Sequence, residues 1–189
     1  MCDRISDIKT SRLLLRQMEA ADAPSLYRYW SDREVTRHMN ISPLENVSQA
    51  AEMIALLNSL AVYGQAFRWS ILSRETRQVL GSCGFNHIDR ENRRAEVGYE
   101  LGKEYWGQGF MLEALGALLQ YGYYQMQFNR IQALVEPPNA ASRGILGKLG
   151  FQEEGLLRQY ERSKGQFIDL ILYAMLKEDF EAVQAFAAK

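Results

Sequence analysis

The sequence predicts a mixed α/β fold, and the order of its apolar segments is the main reason. Short apolar runs bounded by turn residues indicate strands, whereas longer stretches with apolar residues three and four positions apart indicate helices. These segments follow one another as one strand, two helices, three successive strands, then strand–helix–strand units and a final hairpin. Three successive strands do not fit a regular doubly wound sheet, in which strands and helices alternate.

The first third of the chain is predicted to contain one strand and two helices. The apolar triplet at 13–15 lies between two arginines and indicates a short buried strand. A helix is predicted over 22–31, because Asp22 can cap its start and Pro24 suits its first turn. A second helix is predicted over 47–62, where apolar residues recur at helical spacing.

The remainder of the chain is divided by clear turn residues. Pro137 stops one strand, Asn139 can cap a short helix that Gly150 closes, and Lys164 with Gly165 forms a hairpin turn. The predicted elements are strands at 67–72, 79–87, 95–101 and 130–136, helices at 110–128 and 139–149, and a hairpin of strands 151–162 and 167–176.

The composition predicts one soluble domain that spans residues 1–189. Hydrophobic residues make up 47% and charged residues 24% of the chain, so it can bury a full core. The formal net charge is −1, which gives no general attraction to nucleic acid or to an anionic membrane. Neither is therefore expected as a partner, and both a monomer and a homodimer stay open.

The amino terminus and the two cysteines indicate the cytoplasm. The first nine residues carry charges of both signs and no apolar stretch, unlike a secretory signal. No apolar run approaches the roughly 18 residues of a membrane span. Cys2 lies in the start peptide and Cys83 in a predicted strand, so we expect reduced thiols and no structural disulfide.

A glycine-rich junction at residues 105–111 is the sharpest functional signal. It joins a predicted strand to a long predicted helix, so several backbone N–H groups and the positive end of the helix dipole converge there. Gly107 and Gly109 permit positive φ and the close approach of a bulky anion, for which a pyrophosphate is the natural candidate. Ordinary turn glycines would give the same short pattern, and this alternative stays open.

Other nucleotide and metal motifs do not match. A dinucleotide-binding fingerprint requires a third glycine where this chain has Leu112. A P-loop requires Lys followed by Ser or Thr, whereas Lys148 precedes Leu149. His38 and His87 lie far apart in the sequence without the spacing of metal ligands, so no metal is expected.

Several short motifs, taken in order, resemble the GNAT (Gcn5-related) N-acetyltransferases. The resemblance covers about residues 10–180. It is closest to the RimJ/RimL-like branch, which acetylates the N-termini of ribosomal proteins. The motifs that carry it are TSRLLLR at 10–16, EYWGQGF at 104–110, EA at 113–114, PNAAS at 138–142, KLGF at 148–151 and YAMLKEDF at 173–180.

The resemblance implies a mixed, mostly antiparallel sheet, splayed between two central strands, with helices on both faces. It implies acetyl-CoA as cosubstrate, with the pantetheine arm in the splay and the pyrophosphate on the glycine-rich junction. The family usually opens this junction with a basic residue or glutamine, whereas Tyr105 and Trp106 stand here, so binding would depend on backbone N–H groups. The residues implied to bind acetyl-CoA are Leu101, Gly102, Lys103, Trp106, Gly107, Gln108, Gly109, Phe110, Met111, Asn139 and Ser142.

Transfer to an amine requires a base for the amine proton and assistance for the leaving thiolate. Glu96 matches the family's usual catalytic carboxylate and is the preferred base. Glu100 lies about 13 Å further along the same strand, so both cannot contact one amine, and Asp169 in an apolar run is a third candidate. The resemblance places Ser142 near the thioester sulfur, as candidate general acid; Asn139, three residues earlier, also fits a plain helix cap.

The sequence thus predicts an enzyme that moves an acetyl group from acetyl-CoA to a primary amine by direct attack in a ternary complex. Cys83 has no visible activating partner for a covalent route. By resemblance, a protein N-terminal α-amine is the first expected acceptor. Trp30, His38 and Met39 are candidate walls of its pocket, although aromatic and Met side chains in such positions also fit the core. The alternatives are a small amine such as an antibiotic, polyamine or amino acid, a non-catalytic acyl-CoA-binding module, and a dinucleotide oxidoreductase, which Leu112 disfavours.

Overall fold

A computed structural model describes residues 5–187, so Cys2 and the first four residues of the amino-terminal segment lie outside the described range. Within residues 5–187 the chain forms eight strands and five α-helices. The strands are β1 (Ile8–Lys9), β2 (Leu13–Gln17), β3 (Phe67–Ser73), β4 (Val79–Asp89), β5 (Arg94–Leu101), β6 (Arg130–Val135), β7 (Gln152–Ser163) and β8 (Gln166–Leu176). The helices are α1 (Ala23–Trp30), α2 (Val47–Val62), α3 (Phe110–Tyr124), α4 (Ala140–Leu149) and α5 (Lys177–Ala187).

All eight strands form one mixed sheet in the order β1-β2-β3-β4-β5-β6-β8-β7. Every neighbouring pair is antiparallel except the central pair β5 and β6, which is parallel. A parallel pair needs a crossover connection, and α3 supplies it. The predicted mixed, mostly antiparallel fold is confirmed.

The two central strands pair only where they begin. Three residue pairs join β5 to β6, and the last of them is Glu96 with Gln132. Beyond Glu96 the strand continues to Leu101 with β4 as its partner on one side. The other side of β5 therefore has no strand partner within residues 5–187, which is the splay that the sequence predicted.

Helices cover both faces of the sheet. Successive side chains of a strand point to opposite faces, and apolar side chains on each face pack against helices. One core cluster contains Leu118 of α3, Leu146 of α4 and Phe180 of α5. A second cluster contains Leu26 of α1 and Ile54 of α2. The antiparallel strands thus hold α1 and α2 on one face and α3, α4 and α5 on the other.

The structure differs from the predicted elements chiefly in the end of one helix and in two additional elements. The third helix was predicted to reach residue 128 but ends at Tyr124, because Gln127 adopts a positive φ of 60° and cannot continue it. Phe128 then contacts the ring of Phe85 at 5.2 Å between centroids. Helix α5 and the two-residue strand β1 were not predicted. Phe180 is the one buried side chain of α5 among those described, so the helix has no continuous apolar face.

Asp22 stands at the start of α1 as predicted, but its side chain does not cap that helix. It is buried instead and accepts hydrogen bonds from both terminal nitrogens of Arg16, at 2.8 and 2.7 Å, and from the hydroxyl of Ser70 at 2.6 Å. Burial alone would raise the pKa of Asp22, but the hydrogen bonds from Arg16, the Glu19 amide and Ser70 lower it. The residue thus ties β2, β3 and the start of α1 together.

Replacing Asp22 with Asn should lower the free energy of unfolding by about 3 kcal/mol at pH 7, because Arg16 then loses its buried partner. The lowered pKa of the folded carboxyl means that this contribution is complete above the unfolded pKa of about 4 and is lost as the pH falls through the folded pKa. Urea unfolding at pH 7 and at decreasing pH checks both points. Asp89→Asn, which breaks an exposed pair with Arg94, is the control and should cost much less; an equal loss would refute the role of Asp22.

No helix formed between residues 5 and 187 is both long and apolar enough to cross a bilayer.

Candidate active site

A cavity of about 830 Å³ opens where β5 and β6 separate. Its walls include Met53 and Leu57 of α2 from one face of the sheet, and Met111 of α3 and Ile145 of α4 from the other. The cavity therefore reaches both faces through the gap in the sheet. Two substrates can approach one another through such a gap from opposite sides.

The glycine-rich junction lies at one end of this cavity. Gly107 and Gly109 adopt positive φ of 72° and 78°, and both line the cavity with Trp106, Phe110 and Met111. Gly109 is the N-cap of α3 and has no side chain to satisfy the first amides of the helix. None of the backbone N–H groups of residues 107–112 finds an acceptor among residues 5–187. This is the arrangement that binds a phosphate or diphosphate.

Arg12, directly before β2, contacts the junction, and the sequence did not predict this contact. Its Nη1 donates to the carbonyl of Gln108 at 3.0 Å, its Nε donates to Glu113 at 2.6 Å, and its guanidinium stacks on the ring of Phe110 at 4.5 Å. Arg12 and Glu113 are 101 positions apart in the sequence, so no local pattern could reveal the pair.

Glu113 is held ionised in the first turn of α3. It accepts hydrogen bonds from the hydroxyl of Thr10 at 2.5 Å and from the amide of Arg12 at 2.9 Å, besides the Arg12 side chain. Burial would raise the pKa of Glu113, but these hydrogen bonds outweigh it and lower the pKa to about 2. The negative charge of Glu113 thus lies close to the unpartnered amides of residues 107–112, and the positive charge of Arg12 offsets it.

Of the residues predicted to contact the pantetheine arm on this segment, some line the cavity and others do not. Leu101 lines the cavity, but its carbonyl already accepts a hydrogen bond from the indole of Trp106 at 2.9 Å. Gly102 donates its amide to Leu80, and the Lys103 side chain pairs with Glu34. Gly102, Lys103 and Gln108 are not part of the cavity wall. Their role in binding stays a prediction, whereas the unpaired side of β5 after Glu96 offers free backbone positions to an extended ligand.

Asn139 and Ser142 stand together at the start of α4 as predicted. The side-chain oxygen of Asn139 accepts the amide of Ser142 at 3.1 Å, which is an N-cap, and both residues line the cavity. The hydroxyl of Ser142 lies 2.6 Å from the phenolic oxygen of Tyr99 on β5. Burial raises the pKa of Tyr99 to about 12, although the hydrogen bond to Ser142 opposes the shift.

The three candidate carboxylates have different surroundings. Glu96 is half-buried in the cavity wall at the point where the strands separate. Glu100 also lines the cavity but is occupied by Arg68, Ser82 and the indole of Trp30, the last at 3.0 Å. The third candidate, Asp169, is not part of the wall.

Asp169 and Glu96 also differ in what their carboxylates do. Asp169 accepts the amide of Gln159 at 2.7 Å, where β7 is irregular. Burial raises the pKa of Glu96; Gln132 and His87 oppose the shift, and the charge of Glu161 adds to it. Of the three, Glu96 thus has the surroundings expected of a base.

The cavity wall contains further polar groups besides the glycine-rich junction. Trp30, His38 and Met39 line the cavity as predicted. His38 Nδ1 lies 2.8 Å from a carboxylate oxygen of Glu136, at the end of β6. Glu161 of β7 accepts a hydrogen bond from the amide of Asn40 at 2.7 Å, and both line the cavity. Neither carboxylate was predicted, because the fold alone brings them to this wall.

Two other groups bear on the chemistry. Cys83 is fully buried, and burial raises the pKa of its thiol to about 12, so it is poorly suited to act as a nucleophile. Within the described part of the chain, no three His, Cys, Asp or Glu side chains form a group suited to a metal ion.

Unpartnered amides at a glycine-rich junction and a half-buried carboxylate line one cavity in a splayed sheet, an arrangement that fits a CoA-dependent acyltransferase. Residues 12–152 match the acetyltransferase (GNAT) domain, and the chain belongs to the GNAT family. It is an acetyl-CoA-dependent N-acetyltransferase, and the predicted GNAT and RimJ/RimL-like resemblance is confirmed.

Known proteins similar to the chain include both relatives and solved structures. It is 52% identical to the uncharacterised N-acetyltransferase p20 of Bacillus licheniformis, over 90% of this chain and 96% of that protein. It is 28% identical to the [ribosomal protein uS5]-alanine N-acetyltransferase of Escherichia coli, over 92% of each. The structure of Mycobacterium smegmatis RimJ in complex with CoA-disulfide superposes with a TM-score of 0.86 and 22% identity, covering 96% of this chain and 95% of that one.

Proposed function

We propose that the protein acetylates the N-terminal α-amine of a protein by direct attack on acetyl-CoA in a ternary complex. The observation that carries the proposal is the cavity through the sheet, whose wall contains both unpartnered amides and carboxylates. The uS5-alanine N-acetyltransferase supports the choice of an N-terminal acceptor.

The donor side of the proposal rests on the junction and on the open side of β5. The amides of residues 107–112 would hold the diphosphate, and the unpaired backbone of β5 after Glu96 would hold the pantetheine arm. Asn139 and Ser142 would then lie beside the thioester. Bound acetyl-CoA supplies an activated acetyl group, so no covalent intermediate on the protein is required.

In the proposed chemistry Glu96 removes a proton from the amine nitrogen as that nitrogen bonds to the acetyl carbon. Its raised pKa makes it a stronger base than an ordinary carboxylate. Ser142 donates its hydroxyl hydrogen toward the sulfur as the carbon–sulfur bond breaks. Solvent then removes the proton from Glu96 and returns one to Ser142, so the products are an amide and a thiol and both residues regain their starting states.

An α-amine suits this site better than a lysine side chain. Its pKa of about 7.7–8.0 leaves a useful fraction uncharged at neutral pH, whereas a lysine amine near 10.4 is almost fully protonated. The carboxylates of Glu136 and Glu161 in the acceptor wall would also attract an incoming amine. We further propose that residues 1–189 form a single GNAT domain and that the enzyme acts in the cytoplasm without a metal.

The test is the release of free thiol from acetyl-CoA with matched acceptors. Peptides that begin with Ala or Ser should be acetylated at the α-amine, as located by mass spectrometry. The same peptides with a blocked N-terminus and an internal lysine are the control and should release no thiol. Transfer only to spermidine, an aminoglycoside or a free amino acid would replace the protein acceptor with a small amine. Tight CoA binding without transfer to any acceptor would identify a binding module instead.

A further inference from the structure

The contact between Tyr99 and Ser142 has no part in the chemistry described so far. Along β5 the side chains alternate, so Tyr99 points to the face that holds α4, whereas Glu96 points to the opposite face. The phenolic oxygen of Tyr99 and the hydroxyl oxygen of Ser142 are 2.6 Å apart, and both residues line the cavity. This short contact joins the splayed strand to the helix that carries the proposed acid.

The hydrogen bond can form in two directions, and only one leaves the serine useful. A serine hydroxyl has one hydrogen to donate. If Ser142 donates to Tyr99, that hydrogen is no longer available to a leaving sulfur. If Tyr99 donates to Ser142, the serine hydrogen is free to point into the cavity. Among residues 5–187, Tyr99 is the one side chain bonded to the Ser142 hydroxyl.

A phenol is more acidic than an aliphatic hydroxyl, so Tyr99 is the better donor of the two. Burial raises its pKa to about 12, so the phenol keeps its hydrogen throughout the physiological range. The serine backbone is fixed independently, because its amide donates to Asn139 at 3.1 Å. The hydroxyl hydrogen of Ser142 is then the single hydrogen at this contact whose direction is unassigned.

We propose that Tyr99 is a positioning residue that donates its phenolic hydrogen to Ser142 and so directs the Ser142 hydroxyl hydrogen toward the leaving sulfur. This inference rests on the proposed role of Ser142. Tyr99 keeps its own proton during the reaction. The carbon–nitrogen bond forms, the carbon–sulfur bond breaks with its electron pair on sulfur, the nitrogen proton passes to Glu96, and the sulfur receives its proton through Ser142.

A double-mutant cycle tests the proposal, with kcat and the KM for acetyl-CoA measured for each variant. Tyr99→Phe should lower kcat by up to about tenfold, the value of one neutral hydrogen bond, with KM changed less than twofold. Ser142→Ala should lower kcat at least as much. The double variant should be no slower than Ser142→Ala alone, because Tyr99 acts only through that hydroxyl.

Two controls separate positioning from a structural role. Tyr123→Phe removes another buried phenol, which donates to Met175 away from the cavity, and should leave kcat unchanged. The chain with 3-fluorotyrosine at position 99 retains a donor in nearly the same volume and should keep the wild-type kcat. An unchanged KM for acetyl-CoA in Tyr99→Phe shows that this variant is folded, so its lower kcat reports the lost hydrogen bond.

Each contrary result has a distinct meaning. Wild-type kcat in Tyr99→Phe, or a double variant slower than Ser142→Ala by the Tyr99→Phe factor, would overturn the inference. Wild-type kcat in Ser142→Ala would overturn it together with the role of Ser142, while thiol release by the wild type would leave the transferase function intact. Absence of thiol release by the wild type with every acceptor would overturn both.

Discussion

Replacing Glu96 with Gln should lower kcat by about 10²–10⁴-fold and leave the affinity for CoA unchanged. The amide has the size of the carboxylate but cannot accept the amine proton. Glu96 lies where β5 and β6 separate, on the opposite face from Tyr99 and Ser142, so its loss should not disturb the donor side. Thiol release gives kcat, and calorimetric titration with CoA gives the affinity.

The pH dependence of kcat/KM provides a second test of the role of Glu96. A base must be deprotonated to act, so the raised pKa of Glu96 places the acidic limb of kcat/KM above the range of an ordinary carboxylate. The rate should fall as the pH drops through that pKa, and Glu96→Gln should remove this limb. An acidic limb that persists in the variant would assign it to another group.

Glu161→Gln is the matched control, because Glu161 is the carboxylate whose charge contributes to the shift of Glu96. Removing that charge should lower the pKa of Glu96 and move the acidic limb to lower pH, with a much smaller loss of kcat. A large loss in Glu161→Gln together with normal turnover in Glu96→Gln would transfer the role of base to Glu161.

Features that depend on a few neighbouring residues were predictable from the sequence. The glycine spacing at 107 and 109 indicated positive φ and a helix start, and both are observed. The three antiparallel strands before α3 followed from apolar alternation and turn residues. Asn139 caps α4 as predicted, because a cap is a contact across only three residues.

Features that depend on distant residues were not predictable in the same way. Asp22 stands at a position typical of a helix cap. The fold brings Arg16 and Ser70 to its buried carboxylate, which accepts hydrogen bonds from them in place of the helix amides. Glu161 reaches the cavity wall because β7 is irregular between Leu157 and Glu161. Sequence alternation alone does not locate such an irregularity, since one inserted position reverses the faces of all later side chains.

Arg12 is the second residue whose replacement should have a large effect. Arg12→Ala should weaken the binding of acetyl-CoA by roughly 5–30-fold, equivalent to about 1–2 kcal/mol, with a smaller change in kcat. The expected loss of affinity is modest because the Arg12 side chain is about half exposed, at 47%, and solvent screens its charge. Two effects combine: the carbonyl of Gln108 loses its donor, and Glu113 loses the cation that compensates it.

The double variant Arg12→Ala with Glu113→Gln separates these two effects. The low pKa of Glu113, about 2, keeps this carboxylate charged at every working pH, so without Arg12 it repels the diphosphate. Removing the charge should therefore recover part of the lost affinity, and the recovery should shrink as salt increases. Arg74→Ala is the control, because Arg74 bonds to the carbonyl of Thr10 but does not touch the junction, and it should bind acetyl-CoA normally. A double variant that binds more weakly than Arg12→Ala would show that Glu113 supports the junction mainly through its hydrogen bonds to Thr10 and the Arg12 amide, and that its charge matters little.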